Sequence, residues 1–386
     1  MTVLSPIVRE LDIFLRFSWR DWSTTIIPGS IFAIGAMPGL PILSIITNYL
    51  FLVSWLTPYI YFFNLSNQIT GVDEDRINKP DRPIPSGKVT VSGAIRRWAV
   101  ALSTFIGISI YEPSLLPETI CWVLTVAFLC LTSEGSHWFG KNCVAMTTGT
   151  WALLSASWKA IAPATPKSNT YVCAVALWAG LITHIQDLRD IQGDAAVGRK
   201  TLPLVFGDRG SRLIITFLLL PAAYWVLWMG DIVRLAPFTL AMTHIILAYR
   251  IMQAGDARYD HKTYMFYTYI FCLILGCTSA EGLNLKDLGL ISPMGLDWKG
   301  PLLDALNLQF AYMRATALCT VYDSVRSTEI GINAVGIVYS VNLSLGTCPR
   351  PVRPVIQEKT GVAKSWTITA SHGGDPVDAW PDMLGG

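Results

Sequence analysis

The sequence predicts an all-α, polytopic membrane protein with about nine transmembrane helices. Three observations carry this. The chain is 52% apolar and only 15% charged, where soluble proteins carry about 25% charge. Apolar runs near the roughly twenty residues needed to cross a bilayer recur along it. Lys and Arg gather in alternate connections, as they do in loops that stay on the cytosolic side.

The segment before the first apolar run holds Arg9, Arg16, Arg20 and Asp21, which rules out a cleavable secretory signal. Candidate spans follow near 22–38, 42–66, 91–111, 117–134, 141–162, 171–188, 212–230, 234–253 and 262–283. Gly and Pro inside them are tolerable, because neighbouring helices satisfy the freed backbone groups. The connection after the second span carries Arg76, Lys79, Arg82, Lys88, Arg96 and Arg97. The one after the sixth carries Arg189, Arg199, Lys200, Arg209 and Arg212. With the N-terminus in the cytosol, nine spans put both on the cytosolic face. In a eukaryote this predicts an endoplasmic-reticulum-type membrane.

Six of the eight Cys lie in apolar runs without metal-ligand spacing and read as small buried hydrophobes. Net charge is +2, which argues against a nucleic-acid partner. A helical domain is expected over 1–285. From 286 to 386 the apolar runs shorten and Gly, Pro, Ser and Thr become frequent, as in a poorly ordered tail.

Two acidic clusters sit where apolar helices end. In the first, Asn67, Gly71 and Asp75 have helical spacing i, i+4, i+8, and Asp73 and Glu74 reach inward if the helix unwinds. In the second, Asp187, Asp190 and Asp194 stand at i, i+3 and i+7, on one side of a helix. Carboxylates that close repel one another unless a cation sits among them, and carboxylate oxygens suit Mg²⁺. A single such run is ordinarily a solvated helix end; two at matching ends of membrane helices point to a site. Arg76, Lys79, Arg82, Arg199 and Lys200 follow the carboxylates and match a diphosphate, with positive-inside anchoring as the bland alternative. His137, Lys141 and Asn142 open the fifth span on the same side, within reach of that anion.

Both segments resemble the UbiA superfamily of intramembrane prenyltransferases. Its first motif reads roughly NDxxDxxxD and runs into K-P-x-R-P-I-P-S-G, matched here by Lys79-Pro80-Asp81-Arg82-Pro83-Ile84-Pro85-Ser86-Gly87. The second is matched by Asp187, Asp190 and Asp194, then Gly198-Arg199-Lys200-Thr201-Leu202-Pro203. The resemblance covers about residues 10–285. It implies nine helices around a central cavity, Mg²⁺ bridging a prenyl diphosphate, and ionisation to an allylic cation. Where the family has its first two Asp, this chain has Gln68 and Gly71. The first cluster is therefore expected to hold metal through Asn67, Glu74 and Asp75. The N-Q-x-x-G-x-x-E-D wording resembles a fungal branch that includes sesquiterpene cyclases.

Aromatic side chains precede or line these spans: Tyr59, Tyr61, Phe62 and Phe63, then Trp138, Trp151 and Trp158. Most read as interfacial, but Tyr59 and Phe63 share a face near the first cluster, where rings stabilise a carbocation. His184 reads as a packing histidine. The expected function is Mg²⁺-dependent cyclisation of farnesyl diphosphate to a sesquiterpene. Asp187, Asp190, Asp194 and Asp75 would hold metal, while Asn67, Arg76, Lys79, Arg82, Lys141, Arg199 and Lys200 would hold diphosphate. The alternative is transfer of the prenyl group to an aromatic or other acceptor. A transporter or receptor is the remoter reading, since its acids would sit at midplane helix breaks rather than helix ends.

Overall fold

The computed structural model describes residues 4–283, and the expected tail lies outside them. The chain opens with α1 (Leu4–Ser18), a 3-10 turn (Trp19–Thr24) and α2 (Ile26–Ile34). Helix α1 lies against the next long helix through Phe14 and Phe17, whose rings are 5.0 and 6.0 Å from that of Tyr61. Its outward Ile7, Val8 and Leu11 are exposed, the pattern of an amphipathic interfacial helix.

Helix α3 (Ile42–Thr70) is followed after Gly71 by the short α4 (Val72–Asn78). Next come α5 (Val91–Tyr111), opened by the Thr90 side chain accepting from Gly93 N, and α6 (Leu116–Leu131). A wider π-type turn (Phe139–Met146) leads into α7 (Thr147–Lys159). A capping box at Thr165 and Ser168 starts α8 (Pro166–Ile182), which tightens into a 3-10 turn over Thr183–Leu188. The remaining helices are α9 (Ile191–Ala196), α10 (Leu202–Ile214), α11 (Leu220–Met229), α12 (Pro237–Met252) and α13 (Ala257–Gly282).

Each expected span contains helix, the first of them only over Ile26–Ile34 and a short 3-10 turn, and the described residues contain no strand. Five segments are both long and apolar enough to cross a bilayer: Ile42–Thr70, Pro113–Leu131, Pro166–Leu188, Leu202–Met229 and Ala257–Gly282. Elsewhere α2 is nine residues and α12 sixteen, short of a bilayer at 1.5 Å per residue.

Helix α3 packs on α5, α7 on α8, α8 on α11, and α2 on α13. Trp178 of α8 is fully buried, stacks on Tyr267 at 5.3 Å, and donates its indole N–H to His244 Nε2 at 2.9 Å. With no water inside a bilayer, such a polar handle needs a partner, and His244 provides it.

Candidate active site

The two acidic clusters meet. They do so on broken helices: the first cluster unwinds at Gly71 and brings in Glu74 while Asp73 stays exposed, and the single helix face expected for Asp187, Asp190 and Asp194 is corrected. Helix α3 stops at Thr70, and a Cβ on Gly71 would lie 2.8 Å from Asn67 O. The chain restarts as α4, which turns Glu74 and Asp75 inward. In the second cluster Asp187 lies in the 3-10 turn, Asp190 immediately precedes α9 and Asp194 lies on α9. The three carboxylates are thus spread over two elements instead of one stripe.

Asn78, which no sequence spacing singles out, joins the clusters. Its Oδ1 accepts from Gly193 N at 3.1 Å, and its Nδ2 donates to Asp190 O at 3.3 Å. On the other flank, Lys200 N donates to Ser136 O and Trp138 N donates to Lys200 O. That clamp brings the start of the π-type turn, with Lys141 and Asn142, beside Asp187.

Each carboxylate faces a cation. Both Asp75 oxygens accept from Arg82 Nη1 at 2.8 Å. Arg199 reaches Glu74 at 2.6 Å and Asp194 at 3.5 Å. Lys141 Nζ donates to Asp187 Oδ1 at 2.7 Å, and Asn142 Nδ2 donates to Asp187 Oδ2 at 2.7 Å. Asp190 is held by Lys79 at 3.4 Å and Arg189 at 3.3 Å. Five acids oppose five bases, so the formal charges cancel. Arg189 also lies 4.3 Å over the ring of Tyr264. Its place between Asp187 and Asp190 in the sequence was the available signal for its role.

Burial raises Asp75 despite Arg82, and raises Asp194, against Lys141 and Arg199, to about 6. Burial also lowers Lys79 despite Asp190. At Asp190 the opposite balance holds: burial pushes its carboxyl up, but Lys79, Arg189 and Lys141 outweigh it and hold it below the usual range.

The array forms the mouth of a cavity of about 180 Å³. Asn67, Glu74, Lys79, Arg82, Lys141, Arg189, Asp190 and Arg199 line that mouth. Asp75, Asp187 and Asp194 sit behind their cations, at most 2% exposed. Farther in, the walls are Tyr59, Ile60, Phe63, Trp122, Leu153, Tyr267 and Phe271. Two expected diphosphate contacts stay outside. Arg76 is 65% exposed and pairs with Asp73 at 2.6 Å. Lys200 contributes its backbone while its side chain is exposed. His137 does not line the cavity either; its Nδ1 accepts from Phe139 N. His184 is buried between Asn142 and Cys143, in a packing role.

Among the described residues no three His, Cys, Asp or Glu side chains converge tightly enough to hold a metal as they stand. The donor set nonetheless fits a hard divalent cation. It is all oxygen, and Asp194 Oδ2 is buried without a hydrogen-bond partner, an orphaned anionic ligand that a cation would satisfy.

A charged mouth opening into an aromatic, apolar cavity inside a helical membrane protein fits a molecule with an anionic head and a hydrocarbon tail. Residues 24–270 match the UbiA prenyltransferase family, and the chain belongs to it. It is 74% identical over 286 residues to the diterpene cyclase eriG of Hericium erinaceus, covering 74% of this chain and 94% of that one. The polyprenyl transferase eriF of the same organism is 64% identical over 287 residues, covering 74% of this chain and 100% of its own length. The somaliensene A/B synthase of Streptomyces somaliensis is 30% identical, over 72% and 95% of the two chains. A solved digeranylgeranylglyceryl phosphate synthase shares the fold, with TM-score 0.53 at 20% identity over 71% of this chain and 99% of that one. The chain is thus a UbiA-type membrane enzyme of the terpene cyclase and prenyltransferase kind.

Proposed function

We propose that the protein is a membrane terpene cyclase that ionises a C20 allylic diphosphate and closes it to a diterpene. The carrying observation is the cavity itself, a mouth of paired acids and bases that continues into rings and aliphatic side chains. The chain length follows the 74% identity to a diterpene cyclase, in place of the C15 substrate expected from the sequence. Transfer of the prenyl group to an acceptor is the second reading, favoured by the 64% identity to a polyprenyl transferase.

In this reading Arg82, Lys79, Lys141 and Arg199 bind and orient the diphosphate, and Asn67 adds an amide at the rim. Arg76 and Lys200 have no part in it. Asp187, Asp190, Asp194, Glu74, Asp75 and Asn67 would hold Mg²⁺, which would supply positive charge for the leaving group. The C1–oxygen bond breaks with its pair remaining on diphosphate. An alkene of the same chain supplies the pair for the new carbon–carbon bond. The proton then lost passes to a base, for which the released diphosphate suffices. Tyr59, Phe63, Trp122, Tyr267 and Phe271 exclude water and face the cation with rings that do not quench it. The reading includes nine spans, with the acidic loops on the cytosolic face of an endoplasmic-reticulum-type membrane.

The test is incubation of the purified full chain with C15 and C20 diphosphates, with Mg²⁺ or EDTA and without an acceptor. A cyclic hydrocarbon formed from the C20 substrate only with Mg²⁺ is the expected outcome. Release of diphosphate that requires an aromatic acceptor would replace cyclisation by transfer.

A further inference from the structure

A fixed pair of rings lines the cavity. Tyr59 and Trp122 stack with centroids 4.4 Å apart and planes inclined by 12°. Trp122 Nε1 donates to Tyr59 O at 3.0 Å, and Tyr59 Oη donates to Gly149 O at 2.9 Å. Trp55 and Phe105 pack Tyr59 at 5.2 and 6.2 Å. Both polar handles are satisfied and Tyr59 is wedged in place, so rotation of the pair is opposed. Gly149 makes this position possible, since a Cβ there would lie 2.4 Å from the Trp122 ring.

Two helices give the depth. Asn67 at the mouth and Tyr59 are eight residues apart on α3, about 12 Å of helix, and Leu129 and Trp122 are seven apart on α6, about 10 Å. The sixteen-carbon main chain of a C20 prenyl group, advancing about 1.2 Å per bond, extends to roughly 18 Å. An extended chain entering head-outward therefore meets the rings before its tail is inside.

We propose that the Tyr59–Trp122 pair, seated on Gly149, is a floor that turns the prenyl tail back toward C1 and so determines both chain length and ring closure. This rests on the prenyl diphosphate reading of the cavity. The floor makes Trp122 a specificity-determining residue, and Gly149 a positioning residue that acts through it.

The test uses the full chain with C15, C20 and C25 diphosphates and reads ratios, whatever absolute rate remains. Gly149→Ala should drive Trp122 into the cavity and lower the C20:C15 ratio of kcat/KM by about tenfold or more. Trp122→Leu should raise the C25:C20 ratio by a similar factor and replace cyclic product by acyclic alcohol or olefin. Should either variant turn over too slowly, thermal stabilisation by C15 and C20 thiodiphosphates gives the same ratio without chemistry. Unchanged ratios and an unchanged cyclic fraction in both variants overturn the floor. A wild-type protein that releases diphosphate from none of the three substrates overturns the prenyl diphosphate reading instead.

Discussion

Asn78 and Gly193, 115 residues apart, are joined through the Asn78 amide, with Asn78 Oδ1 3.1 Å from Gly193 N. A Cβ on Gly193 would lie 2.2 Å from Asn78 Nδ2. The bond sets the spacing between α4 and α9, and with it the spacing of Glu74 and Asp75 from Asp190 and Asp194. Asn78→Ala should weaken apparent Mg²⁺ affinity by about 10–100-fold, as loss of a group that orients ligands does. Gly193→Ala should do so at least as strongly. Mg²⁺ titrations of diphosphate release check this, and half-saturation unchanged in both variants would detach the junction from metal binding.

Neighbouring cations should differ sharply. Arg82→Ala leaves Asp75 buried without its partner and should cut kcat/KM by about 10²-fold or more. Arg76→Ala breaks an exposed pair worth at most about 1 kcal/mol, so turnover should stay within about twofold. Equal losses from the two would show that Arg76 reaches the substrate.

Asp190 lines the mouth. Asp190→Ala should abolish turnover while the protein still inserts and accumulates in membranes. EDTA should silence the wild type, and added Mg²⁺ should restore it. Wild-type-like turnover of Asp190→Ala at saturating Mg²⁺ removes this residue from the chemistry.

A structural ion pair should respond in stability rather than specificity. Arg212 and Asp260 form two parallel contacts of 2.9 and 2.7 Å, both side chains at most 4% exposed. Asp260→Asn breaks a buried pair that ties α10 to α13, and a loss of about 3 kcal/mol is expected. Thermal unfolding in detergent should shift down while the C20:C15 product ratio holds. A shifted ratio at unchanged stability would put the pair in the site.

The topology has its own test. Nine spans from a cytosolic N-terminus leave a C-terminal tag on the opposite side, protected from protease in sealed vesicles. The acceptor Asn342-Leu343-Ser344, outside the described residues, should then be modified in a eukaryotic host. Asn64-Leu65-Ser66 should stay bare, since Asn64 is buried in α3. Digestion of the tag from the cytosolic side refutes the nine-span count.

The sequence by itself determined the helical membrane class, because apolar runs of bilayer length leave the backbone no partner but its own helix. It also determined that two acidic clusters and their basic sequels belong together, since both fall where apolar helices end on the same predicted face. Tertiary structure alone decided which charges enter the cavity. Local spacing presumes an unbroken helix, and the breaks at Gly71 and over Thr183–Leu188 remove that premise. Arg82 therefore turns in to Asp75 while Arg76, one residue beyond it, turns out to Asp73. Asn78 and the Tyr59–Trp122 pair were hidden because each gains its role from partners set beside it by packing.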